Sequence, residues 1–276
     1  SKPVELIRRF WYWSELNELW PLVLILAVVA LLLIREPHLS ATILIFAAAA
    51  AILFAAGVKL FWFALGGGLG AVGVWLLLVV VGYNGSRIEM WKNPWADPGD
   101  KGYQIVQSLY AVASGGLSGL GFGMSRQKFA YLPEEQNDYI FSIVCEEMGF
   151  IGAGIIIALF ALLVIRGYWL ALHARDRFGA LTIVGITTLM AVQVFLNIAV
   201  VTNLIPSTGI ALPFFSYGGT ALVIQLAEMG IVLSISRQIP APPEPAKKPL
   251  TRAEKKALKK AKKAEAKAAK AAEKAE

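Results

Sequence analysis

The chain has 276 residues, 57% of them hydrophobic and 16% charged, well below the roughly 25% charge of soluble domains. Its net charge of +7 lies wholly beyond residue 240, where eleven Lys and one Arg face five Glu, while residues 1–240 hold fourteen basic and fourteen acidic residues. A neutral body gives no support to nucleic-acid binding, the single Cys145 excludes an internal disulfide and a cysteine metal site, and the alternation that a β-barrel needs is missing.

Apolar runs of roughly 18 residues or more recur, the length that crosses a bilayer as a helix. The expected fold is therefore all-α, a polytopic transmembrane helical bundle. Residues 1–20 join Lys2, Arg8 and Arg9 to Trp11, Trp13 and Trp20, the composition of a cytoplasmic lead-in at the membrane surface. The sequence opens on Ser1 rather than Met, which predicts an N-terminally incomplete chain.

The first span is expected over 21–34, and Pro37 then forces a short loop. The second span, 41–58, is rich in alanine, and Lys59 marks a turn. The third, 60–83, contains Gly66, Gly67, Gly68, Gly70 and Gly73, which allow close helix contact or loosen the helix. Residues 84–139 form a long polar interval with a turn-rich stretch over 93–100. Within it, Tyr103 to Ala113 has the apolar spacing of a short interfacial helix. Ser114-Gly115-Gly116, Gly119, Gly121 and Gly123 favour irregular backbone after it.

The fourth span has its core at 151–165, with Glu146 and Glu147 in its first turns. A basic loop follows over 166–177, and the fifth span, 180–205, carries Gln193 and Asn197 at helical i, i+4 spacing. A second irregular segment, 206–217, precedes the sixth span at 218–235. Five regions result: the lead-in 1–20, three spans over 21–83, the extracytoplasmic loop 84–139, three more spans over 140–238 with an outer motif at 206–219, and a cytoplasmic tail 239–276. Arg8, Arg9, Lys59, Arg166, Arg175, Arg177 and Arg237 then share one side, which the bias of basic loops makes cytoplasmic, with Arg35 a minor exception on the outer side. The tail is Pro-rich and then Lys/Ala/Glu-rich, a composition that stays solvated or is drawn to anionic lipids.

The stretch 121–150 concentrates charge between apolar runs: Arg126, Lys128, Glu134, Glu135, Asp138, Glu146 and Glu147. Charge held at a membrane boundary points to function. Asp138 precedes a span, so it suits either a catalytic carboxylate or a helix N-cap. Arg87, Arg126 and Lys128 suit phosphate, or are solvated loop charges. Ser216-Tyr217-Gly218-Gly219 can present backbone N–H groups to an anion, or make a tight helix start. Glu228, one turn after Gln225, is expected to face the bundle interior and find a polar partner. His38 and His173 read as loop histidines.

Several of these strings, in this order, resemble the SEDS family of bacterial cell-wall polymerases, the FtsW, RodA and SpoVE proteins. They are Asp97-Pro98, Gly102-Tyr103-Gln104, Ser114-Gly115-Gly116, Ser125-Arg126-Gln127-Lys128, Tyr131-Leu132-Pro133-Glu134, Asp138-Tyr139-Ile140-Phe141 and Glu146-Glu147-Met148-Gly149. A second block is Leu204-Ile205-Pro206 with 212–219, Leu-Pro-Phe-Phe-Ser-Tyr-Gly-Gly. The Ser-Arg-Gln-Lys form is closer to FtsW and SpoVE than to RodA. The chain departs from the family at Glu135-Gln136-Asn137, where Ala-His-Thr is common, and at Pro37-His38-Leu39-Ser40, where Pro-Asp-Leu-Gly is common.

The resemblance implies ten spans in the family, of which these six look like the last. It also implies a peptidoglycan glycosyltransferase of the bacterial inner membrane that joins lipid II units into the nascent glycan strand. An acceptor 4-hydroxyl attacks the anomeric carbon and undecaprenyl pyrophosphate leaves. A sugar hydroxyl needs a positioned base, for which Asp138 is the candidate. Arg87, Arg126, Gln127, Lys128, Glu134 and 216–219 would contact substrate. A divalent cation, Mg2+ or Mn2+, is expected at the pyrophosphate, with Glu146 and Glu147 as possible ligands beside their simpler role at a helix start. A class B penicillin-binding protein and the division machinery are the implied partners. A lipid II transporter and a non-catalytic division scaffold are the competing readings.

Overall fold

The computed structural model describes residues 20–33, 39–75, 85–100, 102–127 and 136–239. The basic lead-in before Trp20, the tail beyond Ile239, Lys128, Glu134, His38 and the end of the third span lie outside them. Among the described residues all regular structure is helical, as the uninterrupted apolar runs require. In chain order the helices are α1 (Trp20–Leu33), α2 (Leu39–Ala56), α3 (Leu60–Trp75), α4 (Gly85–Lys92), α5 (Tyr103–Ser114), α6 (Ile140–His173), α7 (Arg177–Val201) and α8 (Gly219–Ser236), with a 3-10 turn at Pro94–Ala96. Helices α6, α7 and α8 are long and apolar enough to cross a bilayer; α1 and the Ser40–Ala56 part of α2 are apolar and fall below that length.

Helix α7 is the centre of the bundle, with α6 and α2 packed against it and α8 touching it more lightly. Phe141, Ile143, Ile156 and Phe160 of α6 interleave with Met190, Val194 and Val201 of α7 and with Leu212 of the following segment. Asp176 caps α7 by accepting the Gly179 N–H at 2.8 Å, which stops α6 and α7 from merging into one helix.

The basic loop expected over 166–177 is mostly helix instead, because α6 runs on to His173. Arg166 lies 4.1 Å from the Trp169 ring centroid, and Trp169 stacks on His173 at 4.1 Å. A guanidinium on an indole face keeps its charge at the interface without breaking the helix, so only Ala174, Arg175 and Asp176 form the link. His173 is thus the last residue of a helix rather than a loop histidine. Of the two alternatives for the glycine run of α3, close helix contact is not seen. Side chains built on Gly66, Gly67, Gly68, Gly70 and Gly73 would meet nothing within 4 Å, so among the described residues these glycines make no close helix contact.

The segment expected to be interfacial buries one face against the bundle. In α5, Ile105, Val106, Ser108 and Ala111 are covered by packing on α6 and α7. The Ser108 hydroxyl lies 2.8 Å from that of Ser142 and donates to the Val201 carbonyl at 2.9 Å.

Helix α6 is broken at Gly149, whose φ of 66° and ψ of −169° are not helical. The glycine-rich chain after α5 takes up the backbone groups that the break releases. Leu120 and Gly121 N–H donate to the Glu146 and Glu147 carbonyls at 2.9 and 3.1 Å, while Phe150 and Ile151 N–H donate to the Gly116 and Leu117 carbonyls at 2.9 and 3.2 Å. A Cβ on Gly115, Gly119 or Gly149 would overlap the opposing backbone. These three glycines let two main chains run side by side, which is why the sequence spends them there.

Candidate active site

The two irregular motifs, far apart in sequence, are laced together at one end of the bundle. Tyr217 N–H donates to the Gln136 carbonyl at 2.7 Å. The Ser216 hydroxyl donates to the Asn137 carbonyl at 2.6 Å and accepts the Leu212 N–H at 2.7 Å. From α7, Asn197 Nδ2 donates to the carbonyls of Asp138 at 2.8 Å and Ile210 at 2.6 Å, and Gln193 Nε2 to that of Ala211 at 3.1 Å. Gln225 of α8 accepts the Phe214 N–H at 2.9 Å. It is therefore bound to the loop, and Glu228 makes no hydrogen bond or ion pair among the described residues.

Asp138 is half-buried where these segments meet. A Cβ built on Gly209 would stand 3.3 Å from Asp138 Oδ2, and Gly209 has φ of +67°, so the backbone of the second motif lies against the carboxylate. The N-cap position of α6 falls on Tyr139, one residue later. Tyr139 is 2% exposed. Burial holds its hydroxyl far above the ordinary tyrosine range, the Asp138 charge adds to this, and the Arg87 guanidinium opposes it.

Arg87 arrives on α4, a helix absent from the expectations. Its Nη1 donates to the Ser207 carbonyl at 3.3 Å. The same helix is pinned by a reciprocal pair: Trp91 Nε1 donates to the Asn203 carbonyl at 3.1 Å, and Asn203 Nδ2 to the Trp91 carbonyl at 3.3 Å. The start of α2 joins through Ser40, whose hydroxyl donates to the Thr208 carbonyl at 2.8 Å.

Arg126, Gln127, Glu146 and Glu147 form a second cluster farther along α6. Glu146 is 1% exposed. It accepts the Ser125 hydroxyl at 2.5 Å, the Arg126 N–H at 3.1 Å and the Gln127 N–H at 3.3 Å, leaving the Arg126 side chain exposed. Glu147 is buried and its Oε1 has no hydrogen-bond partner. Adjacent helical residues point about 100° apart, and both Glu146 oxygens already serve the loop. The pair does not fit a divalent ion, and among the described residues no group of three His, Cys, Asp or Glu could hold one.

The structure therefore brings Asp138, Arg87, Ser216 and Tyr217 into one region and places Arg126, Gln127, Glu146 and Glu147 in another. Two backbone N–H groups expected to face an anion are donated inside the protein, Tyr217 N–H to Gln136 and Gly218 N–H to Ser216. Gly218 and Gly219 form the start of α8. Asn197, Gly209, Ser207 and Trp91 had no assigned role, although the Gln193/Asn197 spacing in an apolar span already marked one buried polar face.

The family model for the FtsW/RodA/SpoVE cell cycle proteins matches residues 6–240. The stage V sporulation protein E of Bacillus subtilis is 46% identical over 207 residues, 75% of this chain and 57% of that protein. A probable peptidoglycan glycosyltransferase FtsW of Geobacter sulfurreducens is 42% identical over 223 residues, 81% of this chain and 60% of that protein. The chain thus spans 57–60% of the length of these curated relatives. Among solved structures, one on the structural coordination of polymerization and crosslinking by a peptidoglycan synthase complex matches with TM-score 0.63 and 29% identity, covering 80% of this chain and 62% of that one. The rod shape determining protein RodA of Thermus thermophilus matches with TM-score 0.53 and 27% identity, covering 80% and 56%. With this helical architecture and a family model spanning most of its length, the chain is a membrane protein that belongs to the FtsW/RodA/SpoVE family of cell cycle proteins.

Proposed function

We propose that this chain forms the catalytic part of a peptidoglycan glycosyltransferase that polymerises lipid II. The observation that carries the reading is the setting of Asp138: a half-buried carboxylate against Gly209, with its backbone held by Asn197 and Arg87 bonded to Ser207, two residues before Gly209. Asp138 takes the proton from the acceptor 4-hydroxyl as that oxygen bonds to the anomeric carbon of the lipid-linked strand. The bond from that carbon to the pyrophosphate breaks, and undecaprenyl pyrophosphate leaves with the electron pair. Arg87 supplies positive charge for the departing phosphate.

A divalent cation at the pyrophosphate would shield its charge; Glu146 and Glu147 do not suit it, and no step is routed through one. Glu146 instead orders the loop that presents Arg126, a second phosphate contact in this proposal, with Gln127, Lys128 and Glu134 nearby in sequence.

The site end of the bundle faces outward. Arg177 Nη2 reaches the Ala56 carbonyl at 3.3 Å, so Lys59, Arg175 and Arg177 gather at the opposite end, which is cytoplasmic by the bias of basic loops. Transport gains no support from the break in α6, because its freed backbone groups are paired with the glycine-rich chain rather than with a cavity. The partner is a class B penicillin-binding protein working within the division or related cell-wall machinery, in line with the synthase complex among the structural matches. Incubating the full-length protein and that partner with labelled lipid II tests the proposal. Glycan strands from wild type and none from Asp138→Asn support it; equal strands from both refute it.

A further inference from the structure

The stretch from Gly102 to Ser125 holds no Asp, Glu, Lys or Arg, although charge is dense on both sides of it. It also keeps one register along α6: Ser108 meets Ser142, and Gly116 and Leu117 pair with Phe150 and Ile151. The segment therefore descends in the same direction as α6, from its first turn to Ile151, eleven residues or ~16 Å of helix rise. It then reverses, since Leu120 and Gly121 return to the Glu146 and Glu147 carbonyls and Ser125 to the Glu146 side chain.

At the reversal the apolar side chains point away from the protein. Phe122 is 87% exposed and Leu117 72%, with Met124 beside them in sequence also exposed. Phe150 and Ile151, the α6 residues paired with this turn, are exposed as well, and the surface continues one turn on at Ile155. That face belongs to a helix apolar and long enough to span a bilayer, the setting in which exposed apolar side chains meet hydrocarbon. Non-helical backbone is tolerated at such depth only when its polar groups are satisfied by protein, the condition that the pairing with the α6 break meets.

We infer that Gly102 to Ser125 is a re-entrant element whose turn is inserted among the acyl chains of the outer leaflet, with Phe122, Leu117 and Met124 as its lipid contacts. This rests on the membrane orientation proposed above and not on the chemistry assigned to Asp138. It would fix the depth of the Ser125–Gln127 loop, because Glu146 ties that loop to the same stretch of α6.

The test uses the full-length protein in phosphatidylcholine/phosphatidylglycerol nanodiscs, with a bimane probe at Phe122→Cys and a reference probe at Lys92→Cys on α4. Native Cys145 is buried. Quenching is compared between lipids carrying a doxyl group on the acyl chain and iodide in the water. The expected result is at least threefold stronger doxyl quenching at the Phe122→Cys probe than at the reference, with iodide ordering the two the other way. Iodide quenching equal to the reference would overturn the inference by placing the turn in water. Protection from both quenchers would overturn it by showing that protein covers the turn. Met124→Cys serves if Phe122→Cys does not fold, and lipid II polymerisation measured in parallel reports on the active site separately.

Discussion

Asn197, 1% exposed near the end of α7, holds the main chain of Asp138: one amide nitrogen donates to the Asp138 carbonyl at 2.8 Å and to the Ile210 carbonyl at 2.6 Å. A single side chain therefore sets the spacing between the proposed base and the motif opposite it. Asn197→Leu keeps the volume and removes the donor without burying a charge. Hydrogen bonds inside membrane proteins contribute on the order of 1 kcal/mol, so thermal stability should fall only modestly. Lipid II turnover should fall by about tenfold or more, since small displacements of a catalytic group are costly. Activity loss no larger than the stability loss would show that Asn197 only holds the fold.

Gly209 gives a sharper version of the same test. Its φ is +67°, and a methyl group added there would stand only 3.3 Å from Asp138 Oδ2. Gly209→Ala therefore adds backbone strain of roughly 1–2 kcal/mol and pushes on the carboxylate. The expected outcome is a folded protein, by gel filtration and thermal unfolding, with turnover reduced about tenfold or more.

Arg87 sits on the short α4 and bonds the Ser207 carbonyl. If it meets the pyrophosphate, Arg87→Ala should raise KM for lipid II several-fold, and Arg87→Lys should recover part of that because charge is kept while fork geometry is lost. Steady-state kinetics with purified lipid II distinguishes this from a general loss of activity.

Glu146→Gln should loosen the Ser125–Gln127 loop. The carboxylate accepts two backbone N–H groups and a hydroxyl, and an amide turns a donor toward one of them. A buried donor left unpaired costs about 1–3 kcal/mol, so hydrogen exchange at Arg126 and Gln127 should quicken by about tenfold or more. Unchanged exchange would show that the loop is held by other contacts.

Tyr139 carries a hydroxyl that is buried with no hydrogen-bond partner and held far above its ordinary range by burial and by Asp138. The unfolded chain releases this proton near pH 10 while the folded protein retains it, so stability falls as pH rises past about 10. Tyr139→Phe should fold, be at least as stable at neutral pH, and lose less stability between pH 10 and 11, as read by thermal unfolding.

Much of this was legible in sequence because bilayer length and charge placement are strong constraints. The apolar runs of α6, α7 and α8 announce themselves, and the two irregular motifs stand out against them. Other features depend on contacts that no local pattern encodes. Arg166 reads as a loop residue until Trp169 is seen beneath it. Tyr103 to Ala113 reads as interfacial because the partners of its buried face, such as Ser142 and Val201, are far away in the chain. Glu146 and Glu147 look like a pair in sequence, yet one carboxylate is absorbed by Ser125–Gln127 and the other points elsewhere. Ser216 and Tyr217 look like an anion nest, but Asn137 and Gln136 claim their donors.

The central claim is that Asp138 removes the acceptor proton. The most direct measurement is single-turnover consumption of lipid II by the full-length protein with its partner, comparing wild type with Asp138→Asn, alongside lipid II binding by each. The account predicts binding within a few-fold of wild type and turnover lower by about 10²–10⁴, the usual contribution of a general base. Turnover within twofold of wild type by a folded Asp138→Asn protein would contradict it.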